Sequence, residues 1–106
     1  MNKGDSVKLK KKLLQATGLL KDLANAARLH VLCELVEGEK SVTELVEATQ
    51  MSQPHVSLLL ARFRRSGVVV GRRKGKEVFY SLQRSCVKEI IESLWREFCK
   101  GKRERL

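Results

Sequence analysis

The chain has 106 residues, of which 22 are Lys or Arg and 12 are Asp or Glu, so its formal net charge is +10 at pH 7. This length predicts one domain over residues 1–106, and the excess of positive charge favours a polyanion as the partner. No apolar run approaches the roughly 18 residues of a membrane span, and the Lys-rich start lacks the features of a secretory signal. The composition therefore predicts a cytoplasmic protein without a membrane segment.

Two amphipathic helices are predicted at the start of the chain. Residues 6–23 place lysines mostly on one side and an apolar face on the other, formed by Leu9, Leu13, Ala16, Leu20 and Leu23. Asn25 is expected to cap a second helix that runs to about Val36 and ends at Gly38. Its buried face follows the i, i+3, i+4, i+7 spacing of Leu29, Leu32, Cys33 and Val36.

Two short helices are predicted next, with a tight connection between them at residues 50–51. Ser41 and Glu44 predict a capping box at the start of a helix of about eight residues, whose inner face carries Val42, Leu45, Val46 and Thr49. Ser52 is expected to cap the following helix, with Pro54 in its first turn and Gly67 at its end. The core face of that helix is predicted to consist of Val56, Leu59, Leu60 and Phe63.

A hairpin and a last helix complete the predicted elements. Residues 68–82 are typical of two strands around a turn at residues 73–76, with Val68 and Val70 on one arm and Val78, Tyr80 and Leu82 on the other. Ser85 is expected to cap a last helix with a long apolar face, formed by Val87, Ile90, Ile91, Leu94, Trp95 and Phe98. So large an apolar face in a small chain predicts a dimer seam.

The order of these elements predicts a winged helix-turn-helix, a mainly α fold with a β-hairpin wing between the fourth and last helices. The distribution of charge agrees with this fold. Seven basic residues and no acidic one occur from Arg62 to Lys76, whereas five Glu and one Lys occur from Glu34 to Glu47. We therefore expect the fourth helix and the wing to face double-stranded DNA.

The start of the fourth helix is expected to enter the major groove. This would bring five side chains near base edges or flanking phosphates: Ser52, Gln53, His55, Val56 and Ser57. Gln53 is suited to adenine, and Leu58 is either an exposed apolar residue or a contact to a thymine methyl group. Phosphate contacts are expected from the nearby cations Arg62, Arg72, Arg73, Lys74 and Lys76.

These motifs resemble the ArsR/SmtB family of winged-helix repressors over about residues 20–100. The resemblance rests on Ala24, Asn25 and Arg28 in the second helix, SVTEL in the third, SQ at the head of the fourth, RFRRSGVV at its end, and the wing RRKGKEVFYSL. It implies a homodimer, joined through the first and last helices, that represses an operator and leaves it when an effector binds.

The chain has three cysteines and no CxxC pair, which is not the pattern of a disulfide scaffold. Cys33 and Cys99 look like the cysteine pair of the reactive-sulfur-sensing branch of that family. The resemblance implies that a persulfide links the two thiols through a disulfide or polysulfide and that DNA affinity then falls. A thiolate at Cys99 is favoured by the cations near it, which are Arg96, Lys100, Lys102 and Arg103.

Two further side chains bear on this thiol chemistry. Cys86 is expected in the first turn of the last helix, where the helix dipole lowers a thiol pKa. It lies 13 residues from Cys99, which is roughly 20 Å along a helix, so those two thiols cannot bridge within one chain. His30 lies one turn before Cys33 and is either a proton acceptor for it or a histidine accommodated near the core.

Two other functions remain open from the sequence. A repressor that responds to a soft metal or metalloid such as arsenite or cadmium would use thiolates of Cys33 and Cys99, although two cysteines make a poor three-sulfur site. A winged-helix module that binds another protein is the second. In the family that the chain resembles, metal sensors carry thiolate ligands on the third helix, or His, Asp and Glu ligands on the last helix. The third helix of this chain has no Cys and the last has no His, so the resemblance implies no metal site. No cofactor motif and no constellation typical of an enzyme is present.

Overall fold

The computed structural model of the protein describes residues 3–98, with side chains from residue 5 onward. Five helices are present: α1 (Lys3–Leu23), α2 (Ala26–Val36), α3 (Val42–Thr49), α4 (Gln53–Arg65) and α5 (Ser85–Phe98). The three strands form one antiparallel sheet in the order β1-β3-β2: β1 (Lys40–Ser41), β2 (Val69–Lys74) and β3 (Glu77–Leu82). The predicted fold class, a winged helix-turn-helix with its hairpin between α4 and α5, is confirmed.

Side-chain caps begin α2, α3 and α4 at the predicted residues. Asn25 Oδ1 accepts a hydrogen bond from the N–H of Arg28 at 3.1 Å. Ser41 Oγ accepts from the N–H of Glu44 at 3.2 Å, while the Ser41 N–H donates to Glu44 Oε1 at 2.9 Å, which completes the predicted capping box. Ser52 Oγ accepts a hydrogen bond from the N–H of His55 at 3.3 Å, which caps α4. Each cap satisfies an N–H group that has no partner within its helix.

Three boundaries differ from the sequence prediction. α1 begins at Lys3 rather than residue 6, and α5 begins at Ser85 itself, so this serine is the first helical residue and not the cap. The hairpin turn is shorter than predicted, because β2 continues to Lys74, which pairs with Glu77. Only residues 75–76 form the turn, and Gly75 supplies its positive φ of 65°.

The strand β1 was not predicted. Lys40 pairs with Tyr80 and Ser41 pairs with Phe79, so the segment that leads into α3 forms the third strand of the wing's sheet. Two residues are too few to show an alternating pattern in the sequence. This pairing fixes the base of the wing beside the start of α3.

The predicted core faces of α2, α3 and α4 meet in one apolar core. Its largest fully buried side chains include Phe63 and Leu60 of α4, Leu32 of α2, Leu45 of α3 and Ile91 of α5. The base of the hairpin adds two buried valines to this core. Val68 precedes β2, and Val69 is its first residue. Val70 follows Val69 within the strand and is exposed, because consecutive strand residues point to opposite faces. The core therefore holds the two short helices and the wing in fixed relative positions.

The two outer helices leave much of their apolar surface uncovered. On α1, Leu9, Leu13 and Leu20 are exposed, whereas Leu23 is buried in the core and Leu19 packs against it. On α5, Val87 and Ile91 are buried whereas Phe98 is exposed. Nowhere in residues 3–98 is a helix sufficiently long and apolar to cross a membrane.

Candidate nucleic-acid interface and thiol site

The connection between α3 and α4 is a tight turn held by short-range hydrogen bonds. Gln50 adopts a left-handed conformation with φ of 61°, and its N–H donates to the carbonyl of Val46 at 2.9 Å. Thr49 Oγ1 donates to the carbonyl of Leu45 at 2.7 Å and accepts from the N–H of Met51 at 3.3 Å. These bonds end α3 and redirect the chain, so the angle between α3 and α4 is set locally.

The outward face of α4 begins with polar side chains that the fold exposes. Ser52, Gln53 and His55 are exposed, and Ser57 is half-buried. Leu58 is 67% exposed, so it lies off the core as the sequence indicated. A polar helix start with exposed donors and acceptors has the chemistry needed to contact base edges and phosphates in a major groove.

Val56 was predicted both as a core residue and as a DNA contact, and the structure excludes the second role. Its side chain is 0% exposed, and it packs in the core on the same face as Leu60 and Phe63. A side chain with no accessible surface cannot contact a base edge. Val56 therefore anchors the start of α4 to the core.

The cations of the wing lie in two different environments. Arg73, Lys74 and Lys76 are exposed at and beside the turn. Arg72 Nη2 forms an ion pair with Oε1 of Glu39, which lies just before β1. Both side chains of this pair are substantially exposed, so it contributes little to stability and a phosphate group can compete for Arg72.

Arg62 is oriented differently from the wing cations. Its Nε donates to Oδ1 of Asp22 in α1 at 3.1 Å, and Asp22 is buried. The structure thus places the Arg62 charge against an internal carboxylate. This arrangement weakens the prediction that Arg62 contacts a phosphate.

Asp22 and Glu39, the acidic partners of two of these arginines, were not among the predicted site residues. The pairs join residues 40 and 33 positions apart, respectively. No periodicity or motif connects residues at such separations, so these contacts became visible only once the chain was folded.

Cys33 lies in the interior of α2 and is 8% exposed, within the predicted buried face. α2 packs against both α3 and α5. One turn earlier, His30 Nε2 lies 3.8 Å from Oε2 of Glu34, a side chain that is itself nearly buried. The carbonyl of Glu34 accepts a hydrogen bond from Lys40 Nζ at 2.9 Å, so this part of α2 is also tied to β1.

Of the other two cysteines, Cys86 lies within the described residues and Cys99 does not. Cys86 lies in the first turn of α5, as the sequence predicted, and it is exposed. Cys99 and the cations Lys100, Lys102 and Arg103 lie outside the described residues. Within residues 5–98, no cluster of three or more His, Cys, Asp or Glu side chains is arranged to hold a metal ion.

Sequence comparisons identify bacterial regulators that are similar along most of the chain. The model of the family described as "Bacterial regulatory protein, arsR family" matches residues 25–70. The transcriptional activator HlyU of Vibrio cholerae is 41% identical over 93 residues, which cover 88% of this chain and 86% of HlyU. The biofilm growth-associated repressor of Xylella fastidiosa is 37% identical over 91 residues, which cover 86% of this chain and 80% of that protein.

Solved structures of bacterial transcriptional regulators are also similar to this chain. Reduced HlyU from Vibrio cholerae superimposes with a TM-score of 0.82 at 41% identity, covering 88% of this chain and 98% of that one. The transcriptional repressor BigR from Xylella fastidiosa superimposes with a TM-score of 0.77 at 36% identity, covering 95% of this chain and 100% of BigR. These similar proteins are transcriptional regulators and not enzymes.

Proposed function

Because the chain belongs to the ArsR family of DNA-binding transcriptional regulators, we propose that it is a homodimeric repressor released from its operator by reactive sulfur species. The effector is a persulfide, and the sensing residues are Cys33 and Cys99. The observation that carries this proposal is that Cys33 is buried in α2, a helix that packs against α5, and that Cys99 follows α5 in the chain.

DNA binding by each protomer would use α4 and the wing. The exposed polar start of α4 fits the major groove, and Gln53 is suited to contact an adenine there. The exposed wing cations Arg73, Lys74 and Lys76 would contact phosphates beside that groove. A net charge of +10 for each chain favours the approach to DNA at low salt.

The homodimer would be joined through α1 and α5. Their exposed apolar side chains need cover that the described chain does not supply, and a second copy supplies the same surface by two-fold symmetry. Two recognition helices related by that symmetry match an operator with two half-sites, about one helical turn apart. The names of the similar proteins include both an activator and repressors. Repression fits a switch whose chemical signal removes the protein from DNA.

In the proposed thiol chemistry, Cys99 reacts first. Cys33 is 8% exposed, which hinders a bulky sulfur donor, whereas the cations near Cys99 favour its thiolate. The Cys99 thiolate attacks the outer sulfur of a persulfide RSSH, which gives a Cys99 persulfide and releases RSH. The Cys33 thiolate then attacks the inner sulfur of that persulfide, which forms the Cys33–Cys99 disulfide and releases hydrogen sulfide.

A longer bridge forms without any added oxidant. Transfer of one sulfane sulfur from a second RSSH into the disulfide gives a trisulfide and another RSH. A disulfide requires Cα atoms about 4.4–6.8 Å apart, and each added sulfur extends that reach. Either bridge ties the core helix α2 to the chain beyond α5, which would shift the dimer helix against the recognition helix and disturb half-site spacing.

Peptide-mapping mass spectrometry after treatment with glutathione persulfide tests the chemistry, with hydrogen peroxide as a parallel arm. We expect a Cys33–Cys99 link that carries extra sulfur in the persulfide arm. DNA affinity, measured by fluorescence anisotropy, should fall at least about tenfold in the same samples. Cys33→Ser and Cys99→Ser should each abolish this loss of affinity. Cys86→Ser is the matched control and should release DNA as the wild type does.

Two results would contradict the thiol switch. One is DNA release that persists in both the Cys33→Ser and the Cys99→Ser variants. The other is modification of Cys86 alone. In either case the soft-metal alternative is tested with arsenite and cadmium, by measuring thiolate-to-metal absorbance and DNA release together.

A further inference from the structure

An ion pair joins the end of the recognition helix to the end of α1. Arg62 lies in the last turn of α4, and its Nε donates to Oδ1 of Asp22 at 3.1 Å. Asp22 lies one residue before the end of α1 and is 8% exposed. Burial of a polar side chain is costly unless it has a hydrogen-bonding partner. Arg62 supplies that partner.

The surroundings make this pair a joint between α1 and α4. An open groove of about 360 Å³ lies beside it, lined by Gln15, Gly18, Leu19, Asp22, Ser66 and Arg84. Apolar packing therefore does not fill the space next to the pair. A second polar contact, from Arg28 Nη1 to the carbonyl of Lys21 at 3.1 Å, anchors the same end of α1 to α2. The last turn of α1 is thus tied by polar contacts to both α2 and α4.

The adjacent arginines provide a contrast. Arg64 and Arg65 share the last turn of α4 with Arg62 but are exposed, and neither forms a salt bridge with a described residue. They carry the same charge at the same end of the helix. Only Arg62 reaches α1, so its geometry and not its charge alone distinguishes it.

We propose that the Asp22–Arg62 pair sets the orientation of the recognition helix relative to α1, and thereby the distance between the two recognition helices of the homodimer. The apolar face of α1 belongs to the surface expected at the dimer seam, so a fixed contact from α1 to α4 carries the geometry of the seam to the DNA. Arg62 is then a positioning residue and not a phosphate contact. This inference rests on the proposed homodimer but not on the thiol switch.

The first test measures operator spacing with the full-length, reduced protein. The probe is a DNA duplex that the wild-type protein selects from a random-sequence pool, together with versions whose half-site spacing is one base pair longer or shorter. The spacing preference is the ratio of the affinity for the selected duplex to the affinity for a duplex with altered spacing. We expect this ratio to fall about fivefold in Asp22→Asn and in Arg62→Gln. The spacing preference of the double variant should be no lower than that of either single variant, because each single substitution already removes the whole interaction.

Arg65→Gln is the matched control, since it removes the same charge from the same turn of α4. It should keep the wild-type spacing preference. A variant that only lowers stability would weaken binding to all the duplexes equally, so the ratio of affinities separates positioning from a general structural role. Thermal unfolding and sedimentation of each variant show whether the folded fraction and size match the wild type.

The salt dependence of binding separates positioning from phosphate contact. Loss of one phosphate contact lowers the slope of log affinity against log salt by about 0.9. We expect Asp22→Asn and Arg62→Gln to leave the slope unchanged. The inference is overturned if Arg62→Gln lowers the slope by about that amount, if Asp22→Asn tightens binding by releasing Arg62 to DNA, or if both variants keep the spacing preference. All measurements use reduced protein, so failure of the thiol switch does not affect them.

Discussion

α4 and α1 are both amphipathic helices, but only α4 buries its apolar face within the chain. Leu60 and Phe63 of α4 are 1% and 0% exposed, whereas Leu9, Leu13 and Leu20 of α1 are 41%, 52% and 53% exposed. The apolar face of α4 packs in a core built from α2, α3, α5 and the hairpin base, while α1 enters that core only near its end. The centre of the molecule therefore buries its apolar side chains within one chain, whereas α1 leaves apolar side chains exposed, which the proposed second copy would cover.

Removal of a central aromatic side chain is expected to have the largest effect. Phe63→Ala creates a cavity in the core and should lower the free energy of unfolding by about 3–5 kcal/mol for each chain. Urea denaturation at one fixed protein concentration, followed by circular dichroism, measures this loss. Leu58→Ala on the outward face of the same helix is the control and should stay within about 0.5 kcal/mol. Equal losses in the two variants would show that the core assignment of α4 is wrong.

The central half of the fold could be predicted from sequence because its signals are local. Ser41 with Glu44, and Ser52 with Pro54, mark helix starts through contacts within one turn, and the structure confirms them. The sequence predicts a four-residue turn at residues 73–76, whereas the structure has a two-residue turn at 75–76, because charged residues such as Arg73 are equally compatible with a turn and with an exposed strand. The strand β1 was missed because it exists only through its pairing with β3.

The candidate site could be predicted only in part. The exposed start of α4 follows from its helical period. The same period places Val56 on the core face with Leu60 and Phe63, which is incompatible with a DNA contact from its side chain. The pairs Arg62–Asp22 and Arg72–Glu39 could not be predicted, since ion pairs across 40 and 33 residues depend on the tertiary fold. A run of cations in the sequence therefore overestimates the charge that is free to contact DNA.

A truncation on α1 should weaken association instead of folding. Leu13→Ala removes three carbons from the apolar face of α1, worth about 2 kcal/mol for each copy if the dimer buries this side chain fully. The dimer dissociation constant, measured by sedimentation equilibrium, should rise at least about tenfold. Leu14→Ala is the matched control, because Leu14 is also exposed but lies outside the predicted apolar face. Equal weakening by both substitutions would contradict the proposed seam.

The smallest predicted difference concerns two serines at helix starts, one in the centre of the molecule and one in its outer part. Ser41 is buried and makes both hydrogen bonds of a capping box, so Ser41→Ala should cost about 1 kcal/mol of unfolding free energy. Ser85 is exposed and is already helical, so Ser85→Ala should change stability by less than about 0.5 kcal/mol. Urea denaturation of both variants at one protein concentration makes the comparison.

This pair of serines tests the contrast at the level of single hydrogen bonds. The sequence assigned the two residues the same capping role, and the structure distinguishes them by one position in the helix. If Ser85→Ala costs as much as Ser41→Ala, then Ser85 acts as a cap and α5 starts one residue later, as the sequence predicted. If only Ser41→Ala is costly, local signals specify the centre of the fold more tightly than its outer helices, whose ends depend on what they pack against.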